Sequence, residues 1–281
     1  MNIGLLVEVE EGLTWERWRA IFGAAEQLGF ESLWVSDHLC SPWSDSSRGL
    51  DAWVALSVAA AETSRVRLGT LVSPVTFRPP GVLARMAESV QALSRGRLTV
   101  GLGLGWNTAE HHAFGIPFPP IADRARLLEE TVGLLHGVAP VLIGGMGERW
   151  TLPLVARFAD EWNLTTSSIA VYAERSAALA RRCAEVGREA DAIRRSVAVG
   201  FLVGRDTADL QSRLQRMEVW VPPLRGGGLA AARRMGWLVG TVDHVAEGLG
   251  ALANAGLERV ILGHYAQDDL EVLELVAQHL P

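Results

Sequence analysis

Along the chain, short apolar runs alternate with longer segments whose apolar residues recur at helical spacing, about eight pairs by period-matching. The strand-like runs are Asn2 to Val7, Ser32 to Ser36, Val66 to Val72, Leu98 to Leu102, Val141 to Gly144, Glu161 to Leu164, Val197 to Val203 and Arg259 to Gly263. Between and after them the pattern predicts helices over Thr14 to Leu28, Asp51 to Glu62, Pro80 to Leu93, Ala122 to His136, Glu148 to Phe158, Val171 to Gly187, Val242 to Ala255 and Asp268 to Leu280. Thr14 and Thr241 read as N-caps, and Gly29, Gly187 and Gly256 as stops. Regular alternation of this kind predicts a parallel sheet covered by helices. Eight units in a row favour an α/β fold of the closed (β/α)8 TIM-barrel type, with an open doubly wound sheet as the alternative by pattern alone. In a barrel, chemistry belongs at the C-terminal ends of the strands.

The stretch Val66 to Pro80 organises the rest. A β-rich apolar run ends in Ser73-Pro74 and then Arg78-Pro79-Pro80, which predicts a buried strand closing on a stiff bend with its backbone exposed. Two connections are long enough to be functional, Gly103 to Ile121 and Arg205 to Gly240. The second carries Val221-Pro222-Pro223-Leu224-Arg225-Gly226-Gly227-Gly228 and reads as a mobile loop, with a few helical turns over Asp209 to Met217. One domain is expected over residues 1–281, with 205–240 as a loop within it.

Four strand ends carry candidate chemistry. After the second, Asp37 and His38 stand at the rim, where a histidine can move a proton and an acid can orient it; a histidine bonded within the barrel top is the structural alternative. After the fourth comes Gly101-Leu102-Gly103-Leu104-Gly105-Trp106 with Glu110-His111-His112. Trp106 occupies the third position of a dinucleotide fingerprint, so that motif is not met, and close approach of backbone to a flat ligand explains the glycines instead. Adjacent histidines do not share a helix face, and no metal site is expected. After the fifth strand, Gly144-Gly145-Met146 opens a helix. After the sixth stand Thr165, Thr166 and two serines, and together these make a phosphate cradle from N–H groups and hydroxyls.

Composition narrows the chemistry. All 26 basic residues are arginine, which removes Schiff-base and lysine general-base chemistry. A formal charge of −6 argues against nucleic acid as partner. No run approaches the roughly 18 apolar residues of a membrane span. Nothing at the N-terminus reads as a signal peptide, and Cys40 and Cys183 are too few for a disulfide framework, so a cytoplasmic protein is expected.

Several motifs stand in register with one family. They are Gly29-Phe30-Glu31-Ser32-Leu33-Trp34-Val35-Ser36-Asp37-His38, Leu68-Gly69-Thr70 with Thr76-Phe77-Arg78-Pro79-Pro80, Gly101 to Trp106 with Glu110 and Phe114-Gly115-Ile116-Pro117, and Ile143-Gly144-Gly145 with Ala159-Asp160-Glu161-Trp162-Asn163. The chain resembles the bacterial luciferase-like monooxygenase superfamily, in the branch of oxidoreductases that use the deazaflavin coenzyme F420. The resemblance covers most of residues 1–168 and recurs weakly in Gly240 to Gly263.

It implies a barrel with a flavin or deazaflavin at its C-terminal mouth, a homodimer, and a non-proline cis peptide at Leu71-Val72. It further implies that Leu71, Val72, Ser73, Gly103, Trp106, Gly144, Gly145, Met146, Thr165 and Thr166 bind cofactor, and that His38, oriented by Asp37, is catalytic. Trp43, Phe77 and Glu110 would line the pocket for a small organic substrate. Two departures stand out: Trp106 replaces the glutamate proton donor of the branch's sugar-phosphate dehydrogenases, and His136-Gly137-Val138-Ala139-Pro140 shortens the connection before strand 5. Arg225, Arg233 and Arg234 would contact an acidic cofactor tail or simply keep a solvated loop charged. The reaction expected is hydride transfer between coenzyme F420 and an unknown substrate. The alternatives are an FMN-dependent two-component monooxygenase and a flavin-binding homologue without turnover.

Overall fold

The computed structural model describes residues 1–41, 49–166 and 168–279. In chain order, β1 (Asn2–Val7), α1 (Trp15–Leu28), β2 (Ser32–Val35), α2 (Ala52–Glu62), β3 (Arg67–Thr70), β4 (Ser73–Pro74) and α3 (Pro80–Leu93) make the first part. Next come β5 (Leu98–Gly103), α4 (Thr108–Ala113), α5 (Ile121–Leu135), β6 (Val141–Gly144), α6 (Thr151–Phe158), β7 (Glu161–Thr165) and α7 (Ile169–Glu185). The last part holds β8 (Arg194–Gly204), α8 (Thr207–Trp220), α9 (Gly228–Arg234), β9 (Leu238–Thr241), α10 (Val242–Asn254), β10 (Arg259–Gly263) and α11 (Glu271–His279).

All strand pairs are parallel. They run β1-β2-β3-β5-β6-β7-β8, and β10 closes the ring between β8 and β1, so the expected barrel is present. The caps follow the local sequence: Thr14 accepts from the Arg17 amide, Gly29 closes α1 at φ 82°, and Asp51 accepts from the Val54 amide at the start of α2. Thr241 stands at the start of α10 without a side-chain capping bond. The main core fills the space between strands and helices, with Trp18, Trp53 and Trp162 among its fully buried side chains. A small cluster of Leu6, Trp34, Leu142 and Ile261 fills the barrel interior, with Leu71 and Val72 packed on it. Gly69 is required there, because a Cβ would lie 2.4 Å from the Trp34 ring.

The fold departs from expectation in the third strand and in the span 205–240. Regular pairing of β3 stops at Thr70, the peptide Leu71-Val72 is cis as the resemblance implied, and Ser73–Pro74 resumes pairing with β5. The span expected as a loop is α8, a 3-10 turn at Pro222–Leu224, α9 and most of β9. Asp206 caps α8, and Leu210, Leu214 and Met217 share one of its faces. With Leu224, Ala232, Trp237 and Val239 they form a second core that the proline and glycine signals concealed. Among the described residues, no helix is long and apolar enough to cross a membrane.

Candidate active site

The ends of β1, β2, β5, β6, β7, β8 and β10, with the turns that follow β3 and α9, surround a cleft of about 380 Å³ at the C-terminal mouth. That is within the usual range for small-molecule sites. Its floor is Leu71 and Val72. Gly103 and Gly144 line it, but a Cβ on either would strike Val72, at 2.5 and 2.9 Å. These glycines therefore make room first for the Val72 side chain, not directly for a ligand as the sequence suggested.

His38 lines the cleft two residues beyond the buried Val35-Ser36 turn. Its Nδ1 lies 3.0 Å from Glu110 Oε2, which leaves Nε2 as the nitrogen that can serve a ligand. Glu110 is buried on α4, behind the cleft, and its other oxygen accepts from the Leu39 and Cys40 amides. Burial by itself opposes charge on His38, but the hydrogen bond to Glu110 and the charges of Glu10, Glu110 and Glu8 raise its pKa to about 9. Burial pushes the Glu110 carboxyl up, and its bonds to His38 and the two amides more than offset that, holding it below the ordinary value.

Asp37 does not orient His38. Its carboxylate accepts from the Arg78 guanidinium at 2.6 and 3.1 Å, from Ser73 Oγ at 2.5 Å and from Trp53 Nε1 at 3.2 Å. Asp37 is buried and Arg78 half-buried, and the network ties the ends of β2 and β4 to α2, so Ser73 also serves structure, outside the cleft lining. Alternation along the strand brought Asp37 and His38 to the rim but could not say which carboxylate would meet the imidazole.

At the far side, Gly145, Asn163, Thr165 and Thr166 line the cleft. Gly145 adopts φ +124°, its N–H donates to the Asn163 carbonyl at 3.0 Å, and its carbonyl accepts from Trp162 Nε1 at 2.8 Å. The Gly145 amide is thus already engaged and does not join the expected cradle, and Asn163, Thr165 and Thr166 supply polar groups at this end. Met146 packs against the main core and Phe77 lies 5.0 Å from the His111 ring, both away from the lining. Trp43 lies outside the described residues. Arg225 donates to the Glu218 carbonyl, and Arg233 and Arg234 are exposed on α9; none of the three lines the cleft.

Sequence reasoning missed one wall entirely. Trp237 and Tyr265 stack at 5.0 Å with 14° between their planes, over glycines that leave space for them, Gly200 and Gly263. Opposite stands the exposed Trp106, edge-on to His38 at 5.7 Å. Glu8 was also missed. It follows β1 directly, at the kind of strand end where function concentrates, and that position was the available signal.

The sequence profile of the luciferase-like monooxygenases matches residues 2–139 and 136–259. The chain belongs to this family. The two matched pieces meet at 136–139, where the connection before β6 is short. Within the family, an uncharacterized protein of Mycobacterium tuberculosis is 29% identical over 189 residues, spanning 52% of this chain and 66% of that protein. An F420-dependent glucose-6-phosphate dehydrogenase of Beutenbergia cavernae is 39% identical over 116 residues, which is 41% of this chain and 34% of that enzyme. The chain thus spans less than two thirds of either relative. A solved F420-dependent secondary alcohol dehydrogenase, in complex with an F420-acetone adduct, shares the fold with a TM-score of 0.82 over 100% of this chain and 98% of its own, at 17% identity.

Proposed function

We propose that this chain is an oxidoreductase transferring a hydride between coenzyme F420 and a small organic substrate. The observation that carries the reading is His38, clamped by buried Glu110, at the wall of a cleft with flat apolar surfaces at one end and hydroxyls at the other. The F420-dependent dehydrogenases among its relatives support the choice of cofactor.

The residues present suit a planar redox ring. Leu71, Val72, Gly103 and Leu104 supply a low apolar floor, while Asn163, Thr165 and Thr166 offer hydrogen bonds to a polar tail. When bound, a reduced deazaflavin supplies a hydride. The protein's part is to hold a substrate between the Trp237 and Tyr265 wall and Trp106, exclude water and steady developing charge. His38, kept positive near neutral pH by Glu110, is placed to stabilise negative charge on a substrate oxygen or nitrogen. Among the described residues, no arginine lines the cleft.

Equilibrium dialysis against coenzyme F420 and, separately, FMN tests the reading. Micromolar binding of F420 with turnover of an uncharged carbonyl or imine panel is expected. Binding of FMN alone, with oxygen consumption, would replace it by the monooxygenase reading, and binding of neither would remove both.

A further inference from the structure

The turn after β1 holds three carboxylates in a small space. One oxygen each of Glu8, Glu10 and Glu11 lies within 4.8 Å of the others. Glu8 lines the cleft, Glu10 is buried behind it, and Glu11 is half-buried. Among the described residues no arginine pairs with any of them. The groups that face them include His38 beyond β2, already bonded to Glu110, Tyr265 beyond β10, Ser41, whose side chain bonds Glu11, and Ser36, whose hydroxyl donates to Glu10 Oε2. Gln267 donates to the backbone carbonyls of Glu8 and Glu11 at 3.1 and 3.2 Å, fixing the turn without neutralising it. Glu10 Oε1 and Glu11 Oε1 are buried without a hydrogen-bond partner.

Three like charges this close, shielded from water, cannot all ionise together. At least one proton stays on the group near neutral pH, because an unpartnered carboxyl costs less to bury neutral than charged. We propose that Glu8 is the proton donor of this cleft, drawing on a proton that Glu8, Glu10 and Glu11 hold in common. This rests on the oxidoreductase reading and assigns it an acid in place of the glutamate that Trp106 displaces.

Burial first, then the charges of Glu10 and Glu11, push Glu8 up to about 8, with His38 pulling the other way. Burial likewise takes Glu10 to about 7 against the pull of His38 and the Ser36 hydroxyl. A donor whose pKa lies near the working pH gives up its proton more readily than His38, held near 9 by Glu110. The step balances as follows. A hydride released from the C–H bond at carbon 5 of a reduced deazaflavin, which would thereby be oxidised, would form a C–H bond at the carbon of a C=O or C=N group. The π pair moves to the heteroatom and takes the proton from the Glu8 carboxyl, forming O–H or N–H. Glu8 is left as carboxylate and regains a proton from water.

The test begins with cofactor-free protein. Infrared difference spectroscopy on wild type should show a protonated carboxyl at pH 7 that is lost as pH rises past 8, and the isosteric Glu8→Gln should weaken that signal and move its midpoint down toward the pKa of about 7 of Glu10. Glu10→Gln, which removes one like charge and lies outside the lining, should move the midpoint to lower pH. With F420 and a carbonyl substrate, Glu8→Gln should lower kcat about 100-fold with KM little changed, and Glu8→Asp should restore part of it. Absence of a protonated carboxyl at pH 7, or calcium binding to the trio at micromolar concentration, overturns the shared proton. An unchanged kcat in Glu8→Gln overturns Glu8 as donor. Failure of wild type to bind F420, with the carboxyl titration intact, overturns the oxidoreductase reading and the donor role but leaves the shared proton standing.

Discussion

The two ends of the barrel use the same residue types to opposite effect. At the N-terminal end, buried Arg259 meets Glu31 at 2.6 and 2.9 Å and also meets Glu161, so each charge of this triad has a partner. Burial opposes both charges there, yet the pairing lifts the Arg259 pKa above its ordinary value and holds Glu31 below its own. At the C-terminal mouth, Glu8, Glu10 and Glu11 face one histidine that Glu110 already holds. Balanced charge at the base closes the barrel. Unbalanced charge at the mouth keeps protons available, and the division matches the usual one between the stabilising and catalytic faces of such barrels.

The sharpest way to break this contrast is at the base. Arg259→Met would strand the buried Glu161 carboxylate and the half-buried Glu31 and should cost about 3–5 kcal/mol in urea unfolding. A loss below about 1 kcal/mol, the scale of an exposed pair, would mean that the base is not closed by this triad. At the mouth, His38→Ala should reduce kcat about 100-fold while F420 affinity stays close to wild type. An unchanged rate makes His38 structural, like its neighbour Asp37. Gly145→Val is expected to destabilise on the order of 1–3 kcal/mol, since φ +124° strains any side chain and the new Cβ would lie 3.3 Å from Thr151. Calorimetry checks the size of this effect, and dialysis should show weaker cofactor binding.

The smallest effect sharpens the comparison through pH. Glu8, Glu10 and His38 have raised pKa values, so the folded state holds extra protons. Their contribution is complete below the ordinary values, 4.5 for the acids and 6.5 for histidine, and is lost as pH rises through about 7, 8 and 9. Glu31 has a lowered value, so its contribution is present above 4.5 and lost as pH falls. Melting temperature should therefore decline from pH 6 to 9, and Glu8→Gln should flatten that decline while leaving the acid limb unchanged. A wild-type melting temperature flat across pH 6 to 9 would contradict the unbalanced mouth.

Much of this was legible in the chain. The alternation that predicts eight βα units needs only local periodicity, and the barrel has them. Thr14 and Gly29 act at helix ends within a few residues of their own positions, which is why their roles can be read directly. His38 was legible as a rim residue for the same reason. Its partner was not: Asp37 is adjacent in sequence, but Glu110, 72 residues away, makes the bond. The span 205–240 misled because Pro222-Pro223 and the glycines dominate its local signal, while the core that orders it comes partly from Leu202 and Ala266, on either side of it.

By itself, then, the sequence determined the succession of strands and helices, the absence of lysine chemistry and the place of His38 at the barrel rim, since these follow from spacing and side-chain type. Only the tertiary structure decided that Asp37 belongs to Arg78, that Gly103 and Gly144 shelter Val72, and that Glu8 stands in a crowd of carboxylates beside an aromatic wall. The physical reason is that charge balance and close packing depend on distance through space. Closing a barrel brings together strand ends whose separation along the chain gives no measure of that distance.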